Sequence, residues 1–242
     1  MEKLKYSKEF LLLLFITTIL SQFVNAQNDV RISVQIAPIL SYQITDYGDY
    51  SSRYNNESET PQFGIRSQVR FEFDMDKYLS LNIGFSYEIR KNSLSTGMLY
   101  DTSEATLPLL DMPYRVNSER TYKFFGIPIA FSVNYFNNSK IRIYQTFGLQ
   151  LSFLLSAEYD SEGFYEYDYI RKESGNYNEY KADYIVSGFS SIGISRRLNE
   201  KLAINLEPGF IYMINEYMEM PYSRKKERFL DLKVDLGLTY NF

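Results

Sequence analysis

The 242 residues contain no cysteine, no histidine and no tryptophan. Without cysteine there is no disulfide, no thiolate nucleophile and no thiolate metal ligand. Without histidine the chain lacks the usual general base and the commonest metal ligand. Most catalytic classes thereby lose their customary machinery. A surplus of positive charge is missing too: 26 Lys and Arg against 30 Asp and Glu give a net charge of −4. That balance offers no basic surface for phosphate-backbone recognition, so nucleic acid is not an expected partner. Present instead are 23 Tyr and 18 Phe, with hydrophobic residues at 45%. This is ample for one domain with a core.

Only one long apolar run occurs, Phe10 to Leu20, and it follows Lys3, Lys5 and Lys8. A basic start, a short apolar run and small residues at Val24 and Ala26 form a signal-peptide layout. The run is shorter than the roughly 20 residues of a spanning helix. The expectation is a cleaved signal peptide at 1–26 and a mature domain at 27–242, carrying 23 basic and 28 acidic residues. No lipid-anchor cysteine follows the cleavage point.

Beyond Gln27 apolar residues recur at every second position, the period of a strand. Ile32, Val34, Ile36, Leu40 and Ile44 oppose Arg31, Ser33, Gln35 and Ser41. At the other end of the chain Leu230, Leu232, Val234, Leu236, Leu238 and Tyr240 oppose Asp231, Lys233, Asp235, Gly237 and Thr239. Eight such runs are present. The sixth, about Tyr184 to Arg196, divides its apolar residues between two faces and leaves its register open. Pro38, Pro128 and Pro208 fall inside runs, where a missing donor predicts bulges.

Connection lengths alternate. Short turns at 74–77, 137–140 and 199–201 carry Asp or Asn, while connections at about 45–62, 90–121, 157–183 and 216–228 are long. The pattern predicts an all-β, eight-stranded antiparallel up-and-down transmembrane β-barrel. It would have three short periplasmic turns and four long external loops. A stripe of seven alternate residues rises about 31 Å at a strand tilt near 40°, enough for the apolar band of about 25 Å. Tyr42, Phe73, Tyr78, Tyr87, Tyr135, Tyr212, Tyr240 and Phe242 sit near stripe ends, where they would form aromatic girdles.

The closing stretch LDLKVDLGLTYNF resembles the C-terminal strand signal read by the barrel-insertion machinery, with Tyr240 and Phe242 as its aromatic positions. More narrowly, FFGIPIAFSVNYF at 124–136 and LAINLEPGFIY at 202–212 resemble strands of the PorT-like outer-membrane barrel family. The resemblance implies location in the cell outer membrane, with outer-membrane lipid and the insertion machinery as partners. One branch of that family takes part in secretion, so secretion-system or envelope proteins are further implied partners. It carries over no catalytic residue and no cofactor.

The less apolar faces hold Arg31, Arg66, Arg70, Arg90, Arg142 and Lys233 with Glu72, Glu88, Glu207, Asp231 and Asp235. Nearly balanced charge in a narrow barrel predicts a salt-bridged plug, since the interior of eight strands is just filled by side chains. A gated path through the same network is the alternative. The 157–183 connection carries Tyr159, Tyr165, Tyr167, Tyr169, Tyr177 and Tyr180 among acids. These residues form either a contact surface or hairpin extensions with rings paired across strands. The acids at Asp160, Glu162, Glu166 and Asp168 lack the ordered spacing of a Ca²⁺ loop, so no metal is expected. A non-enzymatic scaffold presenting Tyr-rich external loops is the leading expectation. A narrow pore or secretion-assembly factor comes second, and a secreted lipocalin-like barrel for a small apolar ligand third.

Overall fold

The computed structural model describes residues 30–46, 55–98, 113–165, 170–176, 184–216, 218–220 and 225–242. The expected signal peptide and Tyr167, Tyr169, Tyr177 and Tyr180 lie outside these residues.

Ten strands occur among the described residues. They are β1 (Val30–Asp46), β2 (Asn55–Asp74), β3 (Leu79–Met98), β4 (Arg115–Asn137), β5 (Ile141–Phe164), β6 (Ile170–Asn176), β7 (Tyr184–Arg197), β8 (Leu202–Met213), β9 (Met218–Met220) and β10 (Lys225–Asn241). Eight of them form the antiparallel order β1-β2-β3-β4-β5-β7-β8-β10. Pairing of β1 with β10, from Arg31 opposite Asn241 to Asp46 opposite Lys226, closes the ring. Closure leaves no open edge in the hydrocarbon layer, which a membrane sheet requires. The two short strands lie outside the ring: β6 adds to β5 and β9 to β10.

Each short turn is built the same way. The side-chain oxygen of Asp76 accepts from the backbone N–H groups of Tyr78 and Leu79 at 2.6 and 2.7 Å. Asn138 does so for Lys140 and Ile141, and Asn199 for Lys201 and Leu202. These side chains replace backbone acceptors in the tight reversal, which is why Asp and Asn recur there.

The alternation is carried into three dimensions with the apolar faces outward. Val34, Ile36, Phe63, Leu149, Ile192, Leu236 and Leu238 are exposed, while Ser33, Gln35, Arg66, Gln150, Ser191 and Asp235 between them are buried. From Leu230 to Tyr240 the outward face of β10 bears no charge. At about 3.3 Å per residue and a tilt near 40° this run rises roughly 25 Å, the thickness of the apolar band. Outward Lys123, Glu158 and Arg228 follow immediately above it.

The structure fixes one register left open, overturns the expectation for the prolines, and carries the hairpins into the long connections. The sixth run, now β7, divides its apolar residues as the sequence suggested: Ile185 and Phe189 turn inward with Ser187, Ser191 and Ser195, while Tyr184, Ile192 and Ile194 face out. The register left open is set by pairing with β5, Ile143 opposite Ile194. Neither Pro38, Pro128 nor Pro208 makes a bulge. At Pro38 the β1–β10 ladder lapses between Ile36 and Ile39 and resumes in the same register, while pairing with β2 continues. Pro128 and Pro208 likewise interrupt only the β3–β4 and β7–β8 ladders. Each lacks a donor toward one neighbour alone, and the ring holds the strand in place from the other side. Register shifts fall instead between Pro61 and Ile65, Lys123 and Phe124, and Asn134 and Phe136. Finally, much of the expected loops is strand: β3 and β4 pair out to Gly97 opposite Arg115, and β4 and β5 out to Arg115 opposite Phe164. Cross-strand polar pairs, such as Ser95 donating to Asn117 at 2.8 Å, sustain the sheet above the membrane.

Candidate functional site

Strand alternation sends every second residue into the bore, so the ring stacks polar side chains in layers from the periplasmic turns outward. The lowest layer joins β1, β2 and β5. Arg31 donates to Glu72 at 3.0 Å and also to Asp74, which accepts from Ser80 at 2.7 Å. Arg142 grips both oxygens of Glu72 and donates through Nε to Asn134. The Arg142 guanidinium lies 4.5 Å from the centre of the Tyr144 ring. Tyr144 crosses the bore over Gly193, where a Cβ would sit 2.2 Å from the ring, so only glycine leaves room.

Glu207 organises the next layer. It accepts from Arg70 through both oxygens at 3.2 and 3.0 Å, from the Tyr144 hydroxyl at 3.2 Å, from Gln35 at 3.3 Å and from Ser191. Above it Arg66 donates to Glu88 at 2.9 Å, to Asp235 at 3.2 Å and to Gln150 at 3.2 Å. Gln150 in turn donates to Glu88 at 2.8 Å, and Lys233 caps the other oxygen of Asp235. Arg90 ends the charged column, with nitrogens 2.9 Å from Glu88 and 2.9 Å from Asp231. All eleven charged residues singled out in the sequence are thus buried in one bore. An unpaired charge in such a place would cost several kcal/mol or more, and each has an opposite charge in reach.

The outer end of the bore changes character. Tyr122, Phe124, Ala157, Ile185, Met213 and Phe229 form a buried apolar cluster with Leu154 against it. The Tyr122 and Phe229 rings meet edge to face at 5.5 Å. Phe124 and Phe229 lie 5.0 and 5.9 Å from the Arg90 guanidinium, so the uppermost cation is covered by ring faces. Two cavities, of about 20 and about 10 Å³, lie lower in the bore. Each has room for about one water.

Several members of this arrangement were not singled out in the sequence. Asp74 continues the inward series Arg66, Gln68, Arg70, Glu72, but its place beside a turn concealed it. The aromatic cover was concealed because its residues are as apolar as the lipid face. Its trace is the loss of alternation at Phe124-Phe125, Ile185-Val186 and Phe229-Leu230, where both faces become apolar.

Of the loop tyrosines, Tyr159 stands opposite Gly175 of β6, and its ring lies within 3.1 Å of where a Gly175 Cβ would be. Tyr165 covers Gly163 in the same way. Glu162 of this hairpin pairs with Lys172 at 2.6 Å. At the other end of the molecule Tyr240 and Phe242 point outward at the periplasmic rim, rings 4.9 Å apart and edge to face, with Phe242 72% exposed. Backbone bonds from Asn241 to Lys201 and from Phe242 to Val30 tie the terminus to its neighbours.

A closed antiparallel ring, apolar outside and charged within, is a membrane-spanning barrel, since each face suits its surroundings. The chain matches the family model described as outer membrane protein beta-barrel domain over residues 25–241, and it belongs to that family. It is a small β-barrel protein of the outer membrane. No curated protein matches it. Among solved structures it is similar to the attachment invasion locus protein Ail of Yersinia pestis, with 10% identity, 89% of this chain and 99% of that one covered, and a TM-score of 0.40. The outer membrane protein OprG of Pseudomonas aeruginosa gives 10% identity, 89% and 96% coverage and a TM-score of 0.48. The outer membrane protease OmpT of Escherichia coli gives 8% identity, 88% and 97% coverage and a TM-score of 0.47.

Proposed function

We propose that this protein is a non-enzymatic barrel with a sealed bore, whose task is to hold an external surface above the outer membrane. The observation that carries this reading is the continuous column of paired charges from Arg31 to Arg90, closed above by the Tyr122, Phe124 and Phe229 cover. A column of that kind fills the middle of the bore and leaves no lane through it for a solute. The external surface is the sheet that β3, β4, β5 and β6 raise beyond the band, with Tyr159 and Tyr165 on it. The absence of histidine and cysteine supports a non-enzymatic role. The assignment of residues 1–26 as a cleaved signal, and of Tyr240 and Phe242 as the signal for insertion, belongs to the same proposal.

Planar-bilayer recording tests the seal. The wild type is expected to show no steady conductance; a stable, ion-selective current whose selectivity changes in Arg70→Glu would replace the plug by a pore.

A second reading rests on the stretches at 124–136 and 202–212, which resemble strands of PorT-like barrels. On that reading the external or periplasmic face assembles with secretion components. Affinity capture from detergent-solubilised membranes separates the two. Reproducible enrichment of secretion components supports assembly, and their absence supports a stand-alone scaffold. The soluble lipocalin-like alternative is set aside, because the apolar faces point out and the charged faces in.

A further inference from the structure

The cavity of about 20 Å³ lies at the periplasmic end of the bore, where Arg31, Arg70, Arg142 and Arg197 line it from β1, β2, β5 and β7. Glu72 is the one carboxylate in its lining, and both its oxygens are already taken by Arg31 and Arg142. The Nε groups of Arg31 and Arg70 are buried with no hydrogen-bond partner, though the two residues are only 8% and 5% exposed. A buried donor without an acceptor carries its full desolvation cost, and native structures rarely leave one so. Arg197 stands exposed at the rim. Ser195 adds a hydroxyl to the lining. Four cationic side chains therefore approach one small space from four strands, and the one carboxylate in its lining is already spent.

We propose that this periplasmic mouth binds a tetrahedral oxyanion of the phosphate type. Guanidinium groups suit such an anion because they offer planar, paired, charge-assisted donors. The enclosed volume takes about one oxygen-sized group. One anion oxygen enters among Arg31, Arg70 and Arg142, and the others remain at the opening, toward Arg197. Donors spread around the cavity favour a tetrahedral acceptor over a flat carboxylate. Two sources share this chemistry, free inorganic phosphate in the periplasm and the phosphate of a phospholipid headgroup in the adjoining leaflet.

The test uses the full protein extracted from membranes in a neutral detergent. Isothermal titration with inorganic phosphate measures the free source, and native mass spectrometry of retained phospholipid measures the lipid source. Arg197→Gln removes a rim cation that forms no ion pair with the plug, and Arg228→Gln removes a cation at the opposite end. Saturable one-site phosphate binding, weakened about tenfold by Arg197→Gln and unchanged by Arg228→Gln, supports the site with a free anion. Retained phospholipid lost in Arg197→Gln and kept in Arg228→Gln supports the site with a lipid phosphate. Neither binding in the wild type, or binding that Arg197→Gln leaves unchanged, overturns it. Both arms are independent of conductance, so the mouth can fail while the sealed bore stands.

Discussion

The two ends of the bore are closed by different physics. From Arg31 to Arg90 the filling is charge, and each group lies within ion-pair distance of a group of opposite sign. Above Arg90 the filling is Tyr122, Phe124, Ile185, Met213 and Phe229, held by volume. An ion pair depends on the identity of both partners, because removing one leaves the other buried and uncompensated. An apolar cluster depends on shape, and it accepts a side chain of similar size. The charged column is therefore the specific part of the bore and the aromatic cover the tolerant part.

Removal of a central cation is the strongest way to break this comparison. Arg66→Ala leaves Glu88 and Asp235 without their shared donor and is expected to cost roughly 3–5 kcal/mol, read from urea unfolding in detergent or from heat-modifiable gel migration. Arg66→Lys is expected to recover only part of that loss, since an ammonium cannot reproduce the forked contacts to Glu88, Asp235 and Gln150. Full recovery by Lys would show that charge alone suffices.

In the cover, Phe124→Ala is expected to cost about 3 kcal/mol through the cavity it opens. Phe124→Leu keeps most of the volume and should cost about 1 kcal/mol. A Leu variant as unstable as Arg66→Ala would erase the distinction between the two ends. Gly193→Ala probes the floor, where the added methyl must displace Tyr144 from its place over the backbone. Overpacking of this kind costs about 1–3 kcal/mol, and Gly193→Ala with Tyr144→Phe should recover little, because the clash is with the ring itself.

The smallest effect lies outside the bore. Lys123 donates to Glu158 at 2.7 Å just above the apolar band, and this bond holds the Glu158 carboxyl below its ordinary range. A lowered carboxyl contributes stability above its unfolded value, near about 4.3, and loses it as the pH falls through the lower folded value. The difference in melting temperature between wild type and Lys123→Gln should therefore be small at neutral pH and vanish at acid pH. A difference that grows on acidification would contradict the pairing.

Strand number, face polarity and the side of the short turns were legible in the residues, because a period of two needs only local alternation and the lipid tolerates no charge on the outward face. The run at β10 illustrates this, with Leu230 to Tyr240 facing out and Asp231 to Thr239 facing in, as the alternation requires. The eleven charged residues of the inner face were legible for the same reason. Their partners were not. Arg66 reaches Asp235 across 169 positions and Arg70 reaches Glu207 across 137, contacts that exist only after β1 pairs with β10 and the ring closes. Asp74 and the aromatic cover escaped for related reasons: a turn position hides a periodic face, and an inward Phe carries the same local signature as an outward one. The prolines taught the reverse lesson, since a missing donor is a local fact but its consequence depends on whether the strand is held from the other side. Alternation and the alternating lengths of the connections by themselves decided that the chain is an up-and-down barrel of antiparallel strands, while the direction of its apolar faces, outward to lipid, was decided by the structure. Closure of the ring decided which charges meet and where the bore is sealed, because both depend on distances between strands that alternation does not encode.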